Sequence, residues 1–178
     1  MGEPRLPTRA EALGILAEAG CSRKVIEHCK AVSKFAVRVA RAFEMRGVNV
    51  DLRLVEIGGL LHDIGRSRTH SVDHGPAGGE IARSLGLPKS VMHIIERHVG
   101  GGIPSDEAKR LGWVAKDYLP ETCEEKIVCY ADKRVEGLRV VSIEQALRTY
   151  IVNLGEEHPA IGRIRKLHEE IVAVVEPL

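Results

Sequence analysis

The chain has 178 residues, 44% of them hydrophobic and 29% charged, and its 26 basic and 25 acidic side chains leave a net charge of +1. That length and mixture suit one globular domain able to bury a sizeable core. A near-neutral balance supplies no whole-molecule field for nucleic acid or membrane, so neither partner is indicated and only a local basic patch stays open.

Residues 1–20 lack the apolar core of a signal peptide, and no stretch nears the ~20 apolar residues of a membrane span. Cys21, Cys29, Cys123 and Cys129 show no Cys-x-x-Cys spacing. They read as reduced thiols in a cytoplasmic protein rather than as a zinc site.

Helix signals follow one another along the chain. Thr8-x-x-Glu11 has capping-box spacing and opens a helix over 8–19. Ser22 and Asp51 are N-cap residues for helices over 22–46 and 51–64, and Ser105 for one over 105–111. Further helices are expected over 75–85 and 88–99, the second with Pro88 in its first turn. Thr122-x-x-Glu125 and Ser142-x-x-Gln145 open helices over 122–136 and 142–154, and Pro159 starts one over 159–175.

Gly20, Gly47, Gly65, Gly86, Gly100 and Gly155 fall just past helix ends, where a left-handed residue is easiest. Residues 66–73 and the run Gly100-Gly101-Gly102 read as loops. No segment alternates with period two and aromatic residues are only 3%, so no sheet is expected. The expectation is an all-α helical bundle forming one domain over residues 1–178.

Ionisable residues fall on the apolar stripes of these helices. His28 lies three residues after Val25 and four before Val32; His62 follows Leu54 and Gly58. His74 precedes Ala77, Gly78 and Ile81, His98 follows Val91, Ile94 and Ile95, and Asp132 lies between Val128 and Val135. His93 is flanked by Lys89, Ser90, Glu96 and Arg97 and should face water, while His168 has the surroundings of an ordinary core histidine.

A carboxylate at an inward position, Asp63 beside His62, is costly to bury unless something neutralises it. Four histidines and two aspartates converging from five segments therefore point to a metal centre. Imidazole and carboxylate without thiolate suit Fe, Mn, Zn, Co or Ni, with Mg also admissible. Six protein ligands exceed what one open catalytic site takes, so two divalent ions are expected, with Asp63 free to bridge them.

The order His28 … His62-Asp63-Ile64-Gly65 … Asp132 resembles the HD-domain superfamily of metal-dependent phosphohydrolases in its His-Asp-Ile-Gly form, over residues 22–136. The runs Asp73-His-Gly-Pro-Ala-Gly-Gly79, Glu96-Arg-His-Val-Gly100 and Tyr130-Ala-Asp-Lys133 look like small stand-alone members that include symmetrical diadenosine-tetraphosphate hydrolases. That resemblance implies one metal on His28, His62, Asp63 and Asp132 and a second on Asp63, His74 and His98. The chain departs from the tetraphosphate hydrolases in its short segment with Arg66, Arg68 and His70, and in Lys133-Arg134-Val135-Glu136 after the metal aspartate.

The implied activity is hydrolysis of a phosphate ester or anhydride of a nucleotide-like small molecule, with Asp63 in the catalytic centre. Arg66, Arg68, Arg97 and Lys133 are the candidate phosphate-binding cations, and His70 the candidate proton donor, Lys133 serving in either role. No P-loop pattern is present. Rival readings are a di-iron oxygenase with the same ligands and a non-catalytic nucleotide-binding regulator. The final helices, 142–175, either cap the core or form a homodimer face.

Overall fold

A computed structural model describes residues 4–175. Its helices are α1 Arg9–Glu18, α2 Arg23–Met45, α3 Leu52–Leu61, α4 His74–Ser84, α5 Lys89–Arg97, α6 Ser105–Arg110, α7 Cys123–Lys133, α8 Ile143–Leu154 and α9 Pro159–Val175. Short 3-10 turns follow α3 at Ile64–Ser67 and α5 at Val99–Gly101. Among the described residues no helix is long and apolar enough to cross a membrane.

The local signals explain most of these boundaries. Thr8 Oγ1 accepts from the Glu11 amide at 3.2 Å while Glu11 Oε2 accepts from the Thr8 amide at 2.7 Å, a complete capping box. Ser22, Asp51, Thr122 and Ser142 each accept from the amide three residues on. Two expected caps shift by one position: Pro104 precedes α6 in place of a capping Ser105, and Pro88 precedes α5 instead of standing in its first turn.

Three expectations need correction. The helix from residue 51 stops at Leu61, because His62 and Asp63 turn the chain into the 3-10 segment. Gly65 is absent from the left-handed glycines, which include Gly20, Gly47, Gly86, Gly100 and Gly155. A β-hairpin pairs β1 (Val135–Glu136) with β2 (Arg139–Val140), so helix α7 ends before it, at Lys133. Gly137, with φ 60°, heads its two-residue loop, the position where such a loop favours glycine. Strands of two residues are too short to show alternation, which is why the pattern missed them.

Two apolar clusters fill the interior. One joins Val32, Phe35 and Val39 of α2 to Ile127, Val128 and Tyr130 of α7, with Leu167, Ile171 and Val175 of α9. The other joins Ala12 and Leu16 of α1 to Ile57, Leu60 and Leu61 of α3 and Val91 and Ile95 of α5. Helices α2, α3 and α5 contribute to both. The C-terminal helix thus covers the same core as the segment that carries Asp132.

Glycines set how closely these helices approach. A Cβ on Gly59 would come within 2.8 Å of Ser33 Cα on α2, and one on Gly58 within 2.4 Å of Ile94 Cδ1 on α5. Gly65 is tighter still, since a Cβ there would lie 1.9 Å from the His74 carbonyl oxygen. The absence of a side chain therefore places the end of α3 directly against the start of α4, and it is this contact, not a left-handed turn, that needs glycine.

The two kinds of glycine predict opposite mutational signs. Gly59→Ala should destabilise the fold by about 1–3 kcal/mol, because the obstacle is backbone and cannot swing away. Gly162→Ala, with nothing within 4 Å of where a Cβ would stand on α9, should stabilise by about 0.4–1 kcal/mol. Urea unfolding of the two variants checks both, and equal midpoints would contradict the packing described.

Candidate metal centre

Four imidazoles reach the site from different elements, and each is oriented by a backbone carbonyl. His62 follows the last residue of α3, and its Nδ1 donates to Gly59 O at 2.8 Å. His98 repeats the arrangement after α5, donating to Ile95 O at 2.8 Å. His74 opens α4 and donates to Ser71 O at 2.7 Å, while His28 on α2 donates to Gly137 O in the hairpin loop at 3.1 Å. A carbonyl can only accept, so Nδ1 carries a proton in each ring and each Nε2 is turned to the interior.

Those Nε2 atoms meet two carboxylates. Asp132 Oδ1 lies 3.1 Å from His28 Nε2 and 3.3 Å from His62 Nε2. Asp63 Oδ1 lies 3.3 Å from His74 Nε2 and 3.5 Å from His98 Nε2, and its Oδ2 is 3.8 Å from His62 Nε2. The Nε2 atoms of His74 and His98 are themselves 3.0 Å apart. Two compact donor sets result, His28–His62–Asp132 and His62–Asp63–His98, each with ligand atoms within 4.8 Å of one another.

This arrangement is incomplete as protein alone. Among the described residues, His62 Nε2 and Asp63 Oδ1 are buried and find no hydrogen-bond partner. A buried polar atom without a partner loses its hydration and gains nothing in return. A divalent cation accepts lone pairs from both kinds of atom, so the residues present fit a metal, and these orphaned atoms are what it would satisfy.

Electrostatics agree with that fit. Burial works against a charge on His62, yet the neighbouring Asp63 and Asp132 carboxylates raise its pKa well above the usual imidazole value. Burial likewise works to protonate Asp63 and Asp132, but His62 and His98 around the first, and Lys133, His28 and His62 around the second, hold both well below the ordinary range. His74 is pushed down to about 3 by burial and by His98, and His98 is lowered chiefly by burial. The two carboxylates thus demand positive charge at their centre, while His74 and His98 are kept as neutral donors.

The centre opens into a cleft of about 850 Å³ whose walls include Ser22, Arg23, Lys24, His28, Arg66 and His70. Arg66 Nε donates to Asp63 Oδ2 at 2.7 Å, and its Nη1 reaches the His70 carbonyl at 3.4 Å. Of the candidate cations, Arg66 alone lines this cleft. Arg68 pairs with Glu80 at 3.1 Å on the surface, and Arg97 is held by Glu121 and Glu125 at 3.0 and 2.9 Å. Lys133 is buried against Asp132 Oδ2, with its ammonium 5.9 Å from the centre of the Tyr150 ring.

Sequence reasoning passed over Arg23 and Lys24, which supply two of the cleft's cations. Lys24 stands four residues before His28, one helical turn away on the same face, and that spacing was the available signal. His93 is 41% exposed, as its polar neighbours implied, and His168 Nδ1 meets the Tyr130 hydroxyl at 3.2 Å.

Comparison with known proteins adds four findings. A family profile described as "HD domain" matches residues 25–135. The chain is 49% identical over 161 residues to an uncharacterized protein of Methanocaldococcus jannaschii, covering 90% of this chain and 95% of that one. It is 41% identical over 170 residues to a tRNA (cytidine(56)-2'-O)-methyltransferase of Picrophilus torridus, covering 95% of this chain and 48% of the methyltransferase, so it spans about half of that relative's length. Its fold is similar to the HD domain of the Listeria monocytogenes phosphodiesterase PgpH, solved with cyclic-di-AMP, at a TM-score of 0.55 and 16% identity over 94% of this chain and 98% of that one. The narrower likeness to diadenosine-tetraphosphate hydrolases is not shown by these matches.

Titration of divalent metal into the full chain tests the centre directly. Wild type should bind metal, whereas Asp63→Ala should lose most bound metal because it removes the carboxylate shared by the buried donors. Calorimetry together with elemental analysis checks this, and undiminished metal content in a folded Asp63→Ala protein would rule the centre out.

Proposed function

This chain belongs to the HD-domain family, and from that premise we propose that it is a metal-dependent phosphohydrolase acting on a phosphate ester or anhydride of a nucleotide. The reading rests on one observation above the others. Buried Nε2 and carboxylate atoms that lack protein partners open into a cleft edged with cations. That combination provides both a place for divalent metal and a place for phosphate.

The proposed ligands are His28, His62, Asp63 and Asp132 for one ion, with Asp63, His74 and His98 for a second, iron or manganese being the first candidates. Bound there, divalent metal lowers the pKa of a coordinated water towards neutrality and screens the phosphoryl oxygens.

The chain's own residues do the rest. Arg66 fixes Asp63 through Oδ2 and leaves Oδ1 turned towards His74 and His98. Arg23, Lys24 and Arg66 line the cleft where an anionic group would enter, and they orient phosphate by charge. His70, on the same wall, is the proposed proton donor to the leaving oxygen.

The substrate class is supported by the chemistry of the cleft, by a neighbour in fold and by a relative in sequence. PgpH is a phosphodiesterase solved with a cyclic dinucleotide, and the methyltransferase relative is named for tRNA. Both are consistent with a nucleotide phosphate, free or within RNA, as the group presented to this cleft.

Phosphate-ester hydrolysis should appear when the metal-loaded protein is given a panel of nucleotides and a chromogenic phosphodiester, and should persist without oxygen. Loss of activity on removing oxygen would instead favour di-iron oxygen chemistry. His98→Ala should take bound metal from about two ions per chain to one and lower turnover far more than stability. A wild type saturating at one ion, with full activity in His98→Ala, would contradict the two-ion assignment.

A further inference from the structure

A second groove, of about 930 Å³, runs along the outer face of α2 beside the metal cleft. Its walls carry Arg9, Lys30, Lys34, Arg38, Arg41 and Arg53 against the acids Glu27 and Glu56. Six cations against two acids is a strong local excess in a chain whose net charge is only +1.

The acids are already engaged: Arg9 meets Glu56 at 2.9 Å and Lys30 meets Glu27 at 2.8 Å. Lys34, Arg38, Arg41 and Arg53 are exposed, and none makes an ion pair among the described residues. Lys30, Lys34, Arg38 and Arg41 repeat at helical spacing, so they form one stripe along α2. The same stripe reaches Arg23 at the N-terminal end of α2, in the wall of the metal cleft.

Charges this close and unpaired repel one another, and folding gains nothing from lining them up. From Arg23 to Arg41 the stripe spans about 27 Å at the rise of an α-helix, far more than a mononucleotide needs. Glu27 and Leu138 line both grooves, so the two are continuous. Leu138 and Val140 of the hairpin are 63% and 43% exposed and lie on the same groove, offering apolar surface to bases that are not paired. A flat anionic membrane would not match a concave track, and a duplex would hide its bases from the hairpin.

We infer that the face of α2 is a docking track for single-stranded RNA, whose backbone phosphates follow Lys34, Arg38 and Arg41 and lead one end of the strand into the metal cleft. The inference rests on the nucleotide-phosphate reading of that cleft and names its substrate as a polynucleotide. The contacts are to phosphates, so binding should be largely independent of sequence and strongly dependent on salt.

The test is fluorescence anisotropy of an unstructured labelled oligoribonucleotide with the full chain, recorded before turnover across about 50–200 mM salt. The combined variant Lys34→Ala, Arg38→Ala, Arg41→Ala relieves that repulsion and, among the described residues, gives up only the contact of Arg38 with the Phe35 ring, 4.9 Å away, so its circular dichroism at 25 °C should match that of folded wild type. Each phosphate contact to a single strand contributes about 0.7 to the salt slope. Losing three should therefore flatten the slope by about 2 and weaken binding about 100-fold near 0.1 M salt. A control variant on α6, Lys109→Ala with Arg110→Ala, should bind as wild type does.

Equal affinity and equal slope in wild type and the α2 variant would overturn the track. So would wild-type protein that ignores the RNA yet sediments with phosphatidylserine vesicles. Hydrolysis of the chromogenic phosphodiester by wild type reads the cleft separately. RNA binding without that hydrolysis would leave the track standing and remove the phosphohydrolase reading.

Discussion

Two carboxylates share a small buried volume with four imidazoles whose Nε2 atoms face inward, and the placement of the surrounding helices depends on how that charge is balanced. Asp63 has only 4% of its side chain exposed and Asp132 14%. Removing such charges from water costs several kcal/mol each unless they are matched by opposite charge at close range. Protein cations supply part of the match, Arg66 on Asp63 and Lys133 on Asp132, each taking the Oδ2 atom. The Oδ1 atoms remain for the histidines, and no further protein donor reaches Asp63 Oδ1. The same atoms that make the fold incomplete are the ones a divalent cation would satisfy.

Holding these groups together requires backbone to approach backbone. The fold meets that need by ending α3 and α5 at a histidine and starting α4 at another. The imidazole at each helix end caps a carbonyl of its own last turn, so one hydrogen bond finishes the helix and fixes the tautomer. Gly59 then lets α3 lie against α2, Gly65 lets the 3-10 turn lie against α4, and Gly78 lets α4 lie against α5, where a Cβ would stand 2.6 Å from Ile95 Cγ2. The short hairpin after α7 adds the last constraint, because Gly137 in its loop orients His28.

The all-helical fold was legible because apolar positions recur at helical spacing and capping residues punctuate them. The convergence of the candidate site was legible for the same reason: histidines and aspartates on an apolar stripe stand out, and the structure brings these six side chains together. What pattern could not show was where neighbouring charges turn. Lys133 follows a metal-site aspartate and reads as a phosphate cation, yet folding buries it against that very carboxylate. Arg97 stands one residue before His98, but consecutive helical residues point about 100° apart, and Glu121 and Glu125 hold it. Arg23 and Lys24 lie far in sequence from the His-Asp pair, and only the folded hairpin and 3-10 turn make that helix start one wall of the cleft. The basic stripe of α2 was masked by averaging, since acids elsewhere cancel it in the net charge.

Anomalous scattering from crystals grown with manganese or iron locates the cation that these buried donors call for. The account predicts a peak bound through Nε2 of His28 and His62 and the Asp132 carboxylate, at distances of about 2.0–2.3 Å, with Asp63 turned towards it. Density at that position explained by water alone, with His62 Nδ1 released from Gly59 and its ring reversed, would contradict it.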